Sequence, residues 1–187
     1  AGCKKVCAID IGWAGSGAVS LDYLVRRVWN IPCQVIGLVA GTNTIHNAEP
    51  DTSEIQLQTG ALAAYLYSSG MNRDLLKKHD PNRNYNVYWE LLLSSPTRQF
   101  KGFYFDDNGK VAFDFGSQEA NVSGIEEIQK GILDFVDCYQ RHFNEFPYMY
   151  QISGRDAYAP MLVAASHGEA YLKKIEEKFT LKIGVGD

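Results

Sequence analysis

One carboxylate and three glycines near the amino terminus carry most of the chemistry legible in this chain. Asp10 stands near the end of a short apolar run, and Gly12-Trp13-Ala14-Gly15-Ser16-Gly17 follows at once. Backbone amides at the start of a helix, helped by its dipole, favour anions such as phosphate. Glycine lets that backbone come close to a ligand, and Ser16 adds a hydroxyl donor. Trp13 could stack on a flat or sugar-like ligand, or pack over the helix end as structure. The competing reading is a tight turn that needs positive φ, with Asp10 capping its own loop. Asp10 is the best catalytic candidate, as a general base, a role that requires burial to raise its pKa.

Other polar groups add less. His46 lies in a polar loop over residues 41–58, long enough for a functional role. Arg155, next to Asp156 and ahead of a helix, is a second candidate anion contact, unless the two pair with each other; Arg73 and Asp74 invite the same reading. Asp106 and Asp107 fall in a hairpin turn and read as solvated. His79, His142 and His167 sit in separate segments and form no triad. Neither a dinucleotide fingerprint nor a GxxxxGK[ST] loop is present. A haloacid-dehalogenase nucleophile needs a second aspartate two positions on, where this chain has Gly12.

The elements that must position these groups follow from periodicity. The run from Lys5 to Ile11 is apolar and ends at glycine, the pattern of a strand buried on both faces. Leu21, Leu24, Val25 and Val28 recur at helical spacing, and Asn30-Ile31-Pro32 stops that helix. A second strand from Cys33 to Ala40 makes a βαβ unit and a parallel sheet. Ala61 to Tyr67 suits strand or helix equally. Short helices are expected over Arg73–His79 and Tyr85–Ser94. Aromatic arms around Asn108-Gly109 predict a β-hairpin. Ser123-Gly-Ile-Glu126 and Ser166-His-Gly-Glu169 have capping-box spacing. The first opens a helix of roughly twenty residues, its stripe formed by Ile125, Ile128, Ile132, Phe135, Tyr139 and Phe143.

Bulk properties narrow the class. With 187 residues and 45% hydrophobic content, the chain folds without a staple. The net charge of −4 with scattered Lys and Arg argues against nucleic acid. No apolar run is long enough to span a bilayer, and no signal sequence is visible. A cytoplasmic location follows as the expectation. Four cysteines without CxxC spacing read as reduced, buried thiols, with no metal site and no cofactor expected.

Cys7-Ala-Ile-Asp-Ile-Gly-Trp-Ala-Gly-Ser16 resembles a D-I-G-W-x-G-[ST] signature of bacterial predicted haloacid-dehalogenase-superfamily hydrolases associated with cell-surface polysaccharide biosynthesis. Leu93-Ser-Ser-Pro96, Lys101-Gly-Phe-Tyr104 and the stretch from Ile128 to Phe135 are similar to that family's downstream region. The resemblance implies a C-terminal α/β region, with the phosphatase-like module upstream in the same polypeptide. Asp10, Gly12, Trp13, Gly15 and Ser16 match the signature. The combined expectation is a single α/β domain over residues 1–187, cut from a longer protein. It would be Rossmann-like, with a mainly parallel sheet flanked by helices and an added β-hairpin. It would bind a phosphorylated sugar or nucleotide-sugar: a hydroxyl at Asp10, phosphate on the amides of residues 12 to 17, and Trp13 stacked. The alternative is a non-catalytic domain that packs on the upstream module.

Overall fold

The computed structural model describes residues 2–42, 53–97, 100–116, 121–149 and 151–179. In chain order its elements are β1 (Lys5–Trp13), α1 (Ser16–Tyr23), β2 (Gln34–Gly41), α2 (Ser53–Gln58), β3 (Leu62–Tyr67), α3 (Leu75–Lys78), α4 (Tyr85–Leu91), β4 (Phe100–Phe105), β5 (Val111–Phe115), α5 (Val122–Phe143), α6 (Gly154–His167) and α7 (Glu169–Phe179). They fall into two units, one of residues 1–90 with 151–169 and one of residues 91–150 with 170–187.

The first unit is mixed α/β. Its sheet has the order β1-β2-β3 with both pairings parallel, Lys5 beside Gln34 and Gly37 beside Leu62. Helix α1 lies on this sheet through Ala18, which clusters with Val39 and Leu62. Small residues make that contact possible: a Cβ on Gly37 would stand 2.7 Å from the Ala18 methyl. Burying Leu62 alone is worth about 1.5–3 kcal/mol. After Tyr23 the helix widens into one π-type turn, Leu24–Val28, and Asn30 at φ 57° ends it in the left-handed region. Helix α6 meets β3 at Gly154, so close that a Cβ there would stand 2.3 Å from the Tyr65 carbonyl oxygen.

Three expectations are corrected here. β1 is not buried on both faces: it has only β2 beside it among the described residues, and Ile9 is 77% exposed. β2 is the central strand and is better covered, with Val35, Gly37 and Val39 to Gly41 buried. The stripe of Leu21, Leu24 and Val28 faces solvent, and Ala18 makes the core contact instead. A small residue suits a helix lying close on a sheet, and hydrophobic periodicity does not register it. Of the four free cysteines only Cys33 is buried; Cys3 and Cys7 belong to the open β1 region, and Cys138 to the outer side of α5.

The second unit holds the expected hairpin. Phe105 pairs with Val111 and Phe103 with Phe113 across the Asp106–Gly109 turn. Helix α5 is 22 residues long, with Ile125 buried and Phe135 exposed. Its cap is Asn121, not Ser123: the Asn121 side-chain oxygen accepts the Gly124 amide at 3.0 Å. Ser166 likewise opens no helix, since it lies in the last turn of α6.

Candidate functional site

The carboxyl ends of β1 and β3 gather the polar and aromatic groups of the first unit. A register shift between Asp10 and Trp13 breaks the β1–β2 ladder, and such bulges re-aim side chains. Ala14 at φ 65° and Gly15 at φ 74° then turn the chain into α1. Two successive left-handed residues favour glycine, and at position 15 space demands it too: a Cβ would stand 2.7 Å from both Leu62 methyls.

The turn spends most of its own donors. Gly12 N–H donates to Asp10 Oδ1 at 2.6 Å, Ala14 N–H to the Gly41 carbonyl at 3.3 Å, and Gly15 N–H to the Trp13 carbonyl at 2.8 Å. The Asp10 carboxylate also lies near the first turn of α1, where a Cβ on Gly17 would be 3.9 Å from Oδ2. An acidic group of the chain itself thus sits beside the helix start, the position an anion would favour. Ser16 and Gly17 remain exposed at the amino end of the helix.

Trp13 faces inward. Its ring lies 4.3 Å from the His79 ring and stacks with Tyr67 at 6.0 Å. Its indole N–H donates to Glu90 Oε1 at 2.9 Å. Beneath it His79 is buried and its Nδ1 meets the Tyr158 hydroxyl at 2.5 Å. Tyr158 also contacts Tyr67 and Trp89. Trp13 is half-buried and packs against these rings.

Glu90, from α4, is the residue that sequence reasoning missed. Burial pushes its carboxyl above the ordinary range, the Trp13 N–H pulls it back, and the Asp10 charge pushes it up again. Tyr65, on β3, is raised chiefly by burial; Trp89 hydrogen-bonds its hydroxyl, and Asp10 again contributes. Two carboxylates, one phenol and two indoles therefore converge. No spacing could have announced this, because Trp13 and Glu90 are 77 residues apart. Two further polar atoms, Tyr67 Oη and Thr42 Oγ1, are buried without hydrogen-bond partners among the described residues.

The remaining sequence candidates separate from this cluster. His46 lies outside the described residues. Arg155 is engaged by Asp74, with Nη1 at 3.0 Å from Oδ2 and a second bond from Nη2 to Oδ1. Asp156 instead receives the Ser153 hydroxyl at 2.8 Å while Ser153 caps α6. Arg155 thus takes Asp74 as its ion-pair partner; pairing with Asp156 is one of two alternatives that its sequence position leaves open. Among the described residues no three His, Cys, Asp or Glu side chains group to hold a metal. No helix among them is long and apolar enough to cross a membrane.

Set against models of known families, curated proteins and solved structures, the chain matches none.

Proposed function

We propose that the first unit binds a phosphorylated sugar or nucleotide-sugar at the carboxyl ends of β1 and β3. The observation that carries this reading is the convergence of Asp10 and Glu90 with Trp13, Tyr65 and Trp89. Carboxylates accept sugar hydroxyls, and aromatic rings supply flat apolar faces for the ring carbons. In an open parallel sheet, ligands lie beyond the carboxyl ends of the strands. The parallel β-α-β order, with its glycine turn into α1, supports a Rossmann-like classification. The resemblance to surface-polysaccharide hydrolases supplies the sugar class.

The geometry refines the assignment. Asp10 and Glu90 take the hydroxyls. The phosphoryl group approaches from Ser16 and Gly17, whose side of the turn is exposed, because the amides of residues 12, 14 and 15 already have acceptors. Arg155 is removed from the ligand contacts by Asp74. If the site is catalytic, Asp10 and Glu90 are its candidate acid–base pair, with the Glu90 carboxyl held above the ordinary range chiefly by burial.

A thermal-shift screen tests this reading with sugar phosphates, nucleotide-sugars, free sugars and inorganic phosphate. A ligand at 100 times its Kd stabilises the native state by about 2.7 kcal/mol. The shift should vanish in Asp10→Ala, weaken in Glu90→Gln and survive Arg155→Ala. Silence from every ligand, with folded variants, removes the reading. A second reading, a non-catalytic domain that packs on an upstream phosphatase-like module, is favoured by the exposure of Ile9 and Val6 on β1.

A further inference from the structure

The β4–β5 hairpin of the second unit presents one continuous aromatic face. Phe103 pairs with Phe113 and Phe105 with Val111, while the register shift after Phe100 sets that ring opposite Phe115. Alternation along each strand therefore puts Phe100, Phe103, Phe105, Val111, Phe113 and Phe115 on one side. The rings touch one another, with Phe100 5.0 Å from Phe103 and Phe103 5.5 Å from Phe113. All six side chains are exposed, from 45% at Phe115 to 75% at Phe105. Gly102, Tyr104, Ala112 and Asp114, which pair with one another, fall on the other side of the pleat.

An isolated two-stranded hairpin is at best marginally stable in water, and a fully apolar face makes exposure costlier. At roughly 200 Å² per exposed ring, the five phenylalanines and Val111 leave about 700 Å² of apolar surface open. That exceeds the patch normally tolerated on a monomer, roughly 300–600 Å². Two such faces in contact would bury about 1,400 Å², inside the range of about 1,200–2,000 Å² typical of stable interfaces.

We propose that this face is a homodimer contact, closed by the same face of a second copy of the chain. A two-fold contact sets a patch against itself, so any charge on it would meet its own kind. The six side chains that form this face are all apolar. Two hairpins stacked face to face at about 10 Å would interdigitate their rings as the sheets of a sandwich do. The inference is independent of the ligand site, which belongs to the other unit.

Sedimentation equilibrium on the 187-residue chain, from nanomolar to high micromolar, reads the association directly. The expected mass is twice that of one chain. Phe103→Glu and Phe113→Glu should each give monomer, Phe103→Ser should raise the dimer Kd at least tenfold, and Tyr104→Glu, on the opposite side, should change nothing. Fluorine NMR of unsubstituted chain labelled with 4-fluorophenylalanine guards against variants that misfold. The hairpin resonances should shift on dilution, whereas a ring outside the face should not. A chain that is monomeric at every concentration overturns the proposal and leaves the face to a different protein. So does a dimer that survives both glutamate variants, or hairpin resonances indifferent to dilution.

Discussion

The Trp13 indole N–H donates to Glu90 Oε1 at 2.9 Å, so a residue of the glycine turn is tied to a carboxylate on α4. The bond orients the half-buried Glu90 towards the end of β1 and holds the Trp13 ring over His79. It therefore ties the glycine turn that follows Asp10 to the α4 residue Glu90.

Glu90→Gln should stabilise the protein at neutral pH by about 0.5–1 kcal/mol. The amide oxygen still accepts the indole N–H, while the cost of burying a charge disappears. Because burial raises the Glu90 carboxyl in the folded state, the folded chain holds that proton more firmly than the unfolded one. Stability from this group is thus fully present below the ordinary glutamate value and falls as pH rises through the raised one. The advantage of the variant should vanish below about pH 4. Urea unfolding at pH 4 and pH 7 measures it. Trp13→Phe removes a hydrogen bond that lowers the Glu90 carboxyl, and should cost about 1–2 kcal/mol at pH 7.

The glycines of the turn differ in what they tolerate. Gly15→Ala meets Leu62 at 2.7 Å and forces alanine to φ 74°, for a loss of about 2–4 kcal/mol. Gly17→Ala meets only Asp10 Oδ2, at 3.9 Å, and gains helix propensity; it should be neutral or stabilising by up to about 1 kcal/mol. A chain in which both substitutions cost the same would show that α1 does not lie on Leu62 as described. Equilibrium denaturation of the two variants decides it.

How much of this was legible in the sequence depended on range. The hairpin could be read because Asn108 and Gly109 specify their turn locally, and Gly109 takes φ 73° as such a turn needs. The β1-turn-α1 passage could be read for the same reason. Leu62 to Tyr67 could not, since a run of apolar residues suits a buried strand or helix alike, and only its pairing with β2 decides. The glycine turn drew attention to Asp10, but Glu90, Tyr65 and Tyr158 reach the site by tertiary packing alone. Arg155 looked like an anion clamp because its partner, Asp74, lies 81 positions away.

The start of α5 gives a clean local test. Asn121 and Ser123 are both capping types, and a capping box favours the serine. In the structure Asn121 accepts the Gly124 amide at 3.0 Å and donates to the Lys178 carbonyl at 3.0 Å. Asn121→Ala should cost about 1 kcal/mol or somewhat more, whereas Ser123→Ala should be near neutral because Ser123 is already helical. Thermal unfolding of both variants, followed by helical circular dichroism, separates the two caps. The opposite ranking would move the helix start to Ser123.

Asp22 links α1 to the central strand and should carry a pH dependence opposite to that of Glu90. Its Oδ1 accepts the amide of buried Val35 at 2.8 Å, and its carboxylate pairs with Arg26. The Arg26 hydrogen bond lowers the Asp22 pKa most; burial opposes it, and the Val35 amide adds to the lowering. A carboxylate lowered in the folded state contributes stability that is fully present above its ordinary value of 3.8 and is lost as pH falls through the lowered one. Asp22→Ala leaves the Val35 amide buried without its acceptor, a cost of about 1–3 kcal/mol at pH 7. Asp22→Asn keeps an acceptor but loses the charge, and should recover roughly half of that loss. The gap between wild type and Asp22→Asn should be constant from about pH 5 to about pH 7 and begin to close as pH falls below the ordinary value of 3.8. If it stays open in acid, the charge on Asp22 is not what joins α1 to β2, and the amide contact alone must carry the link.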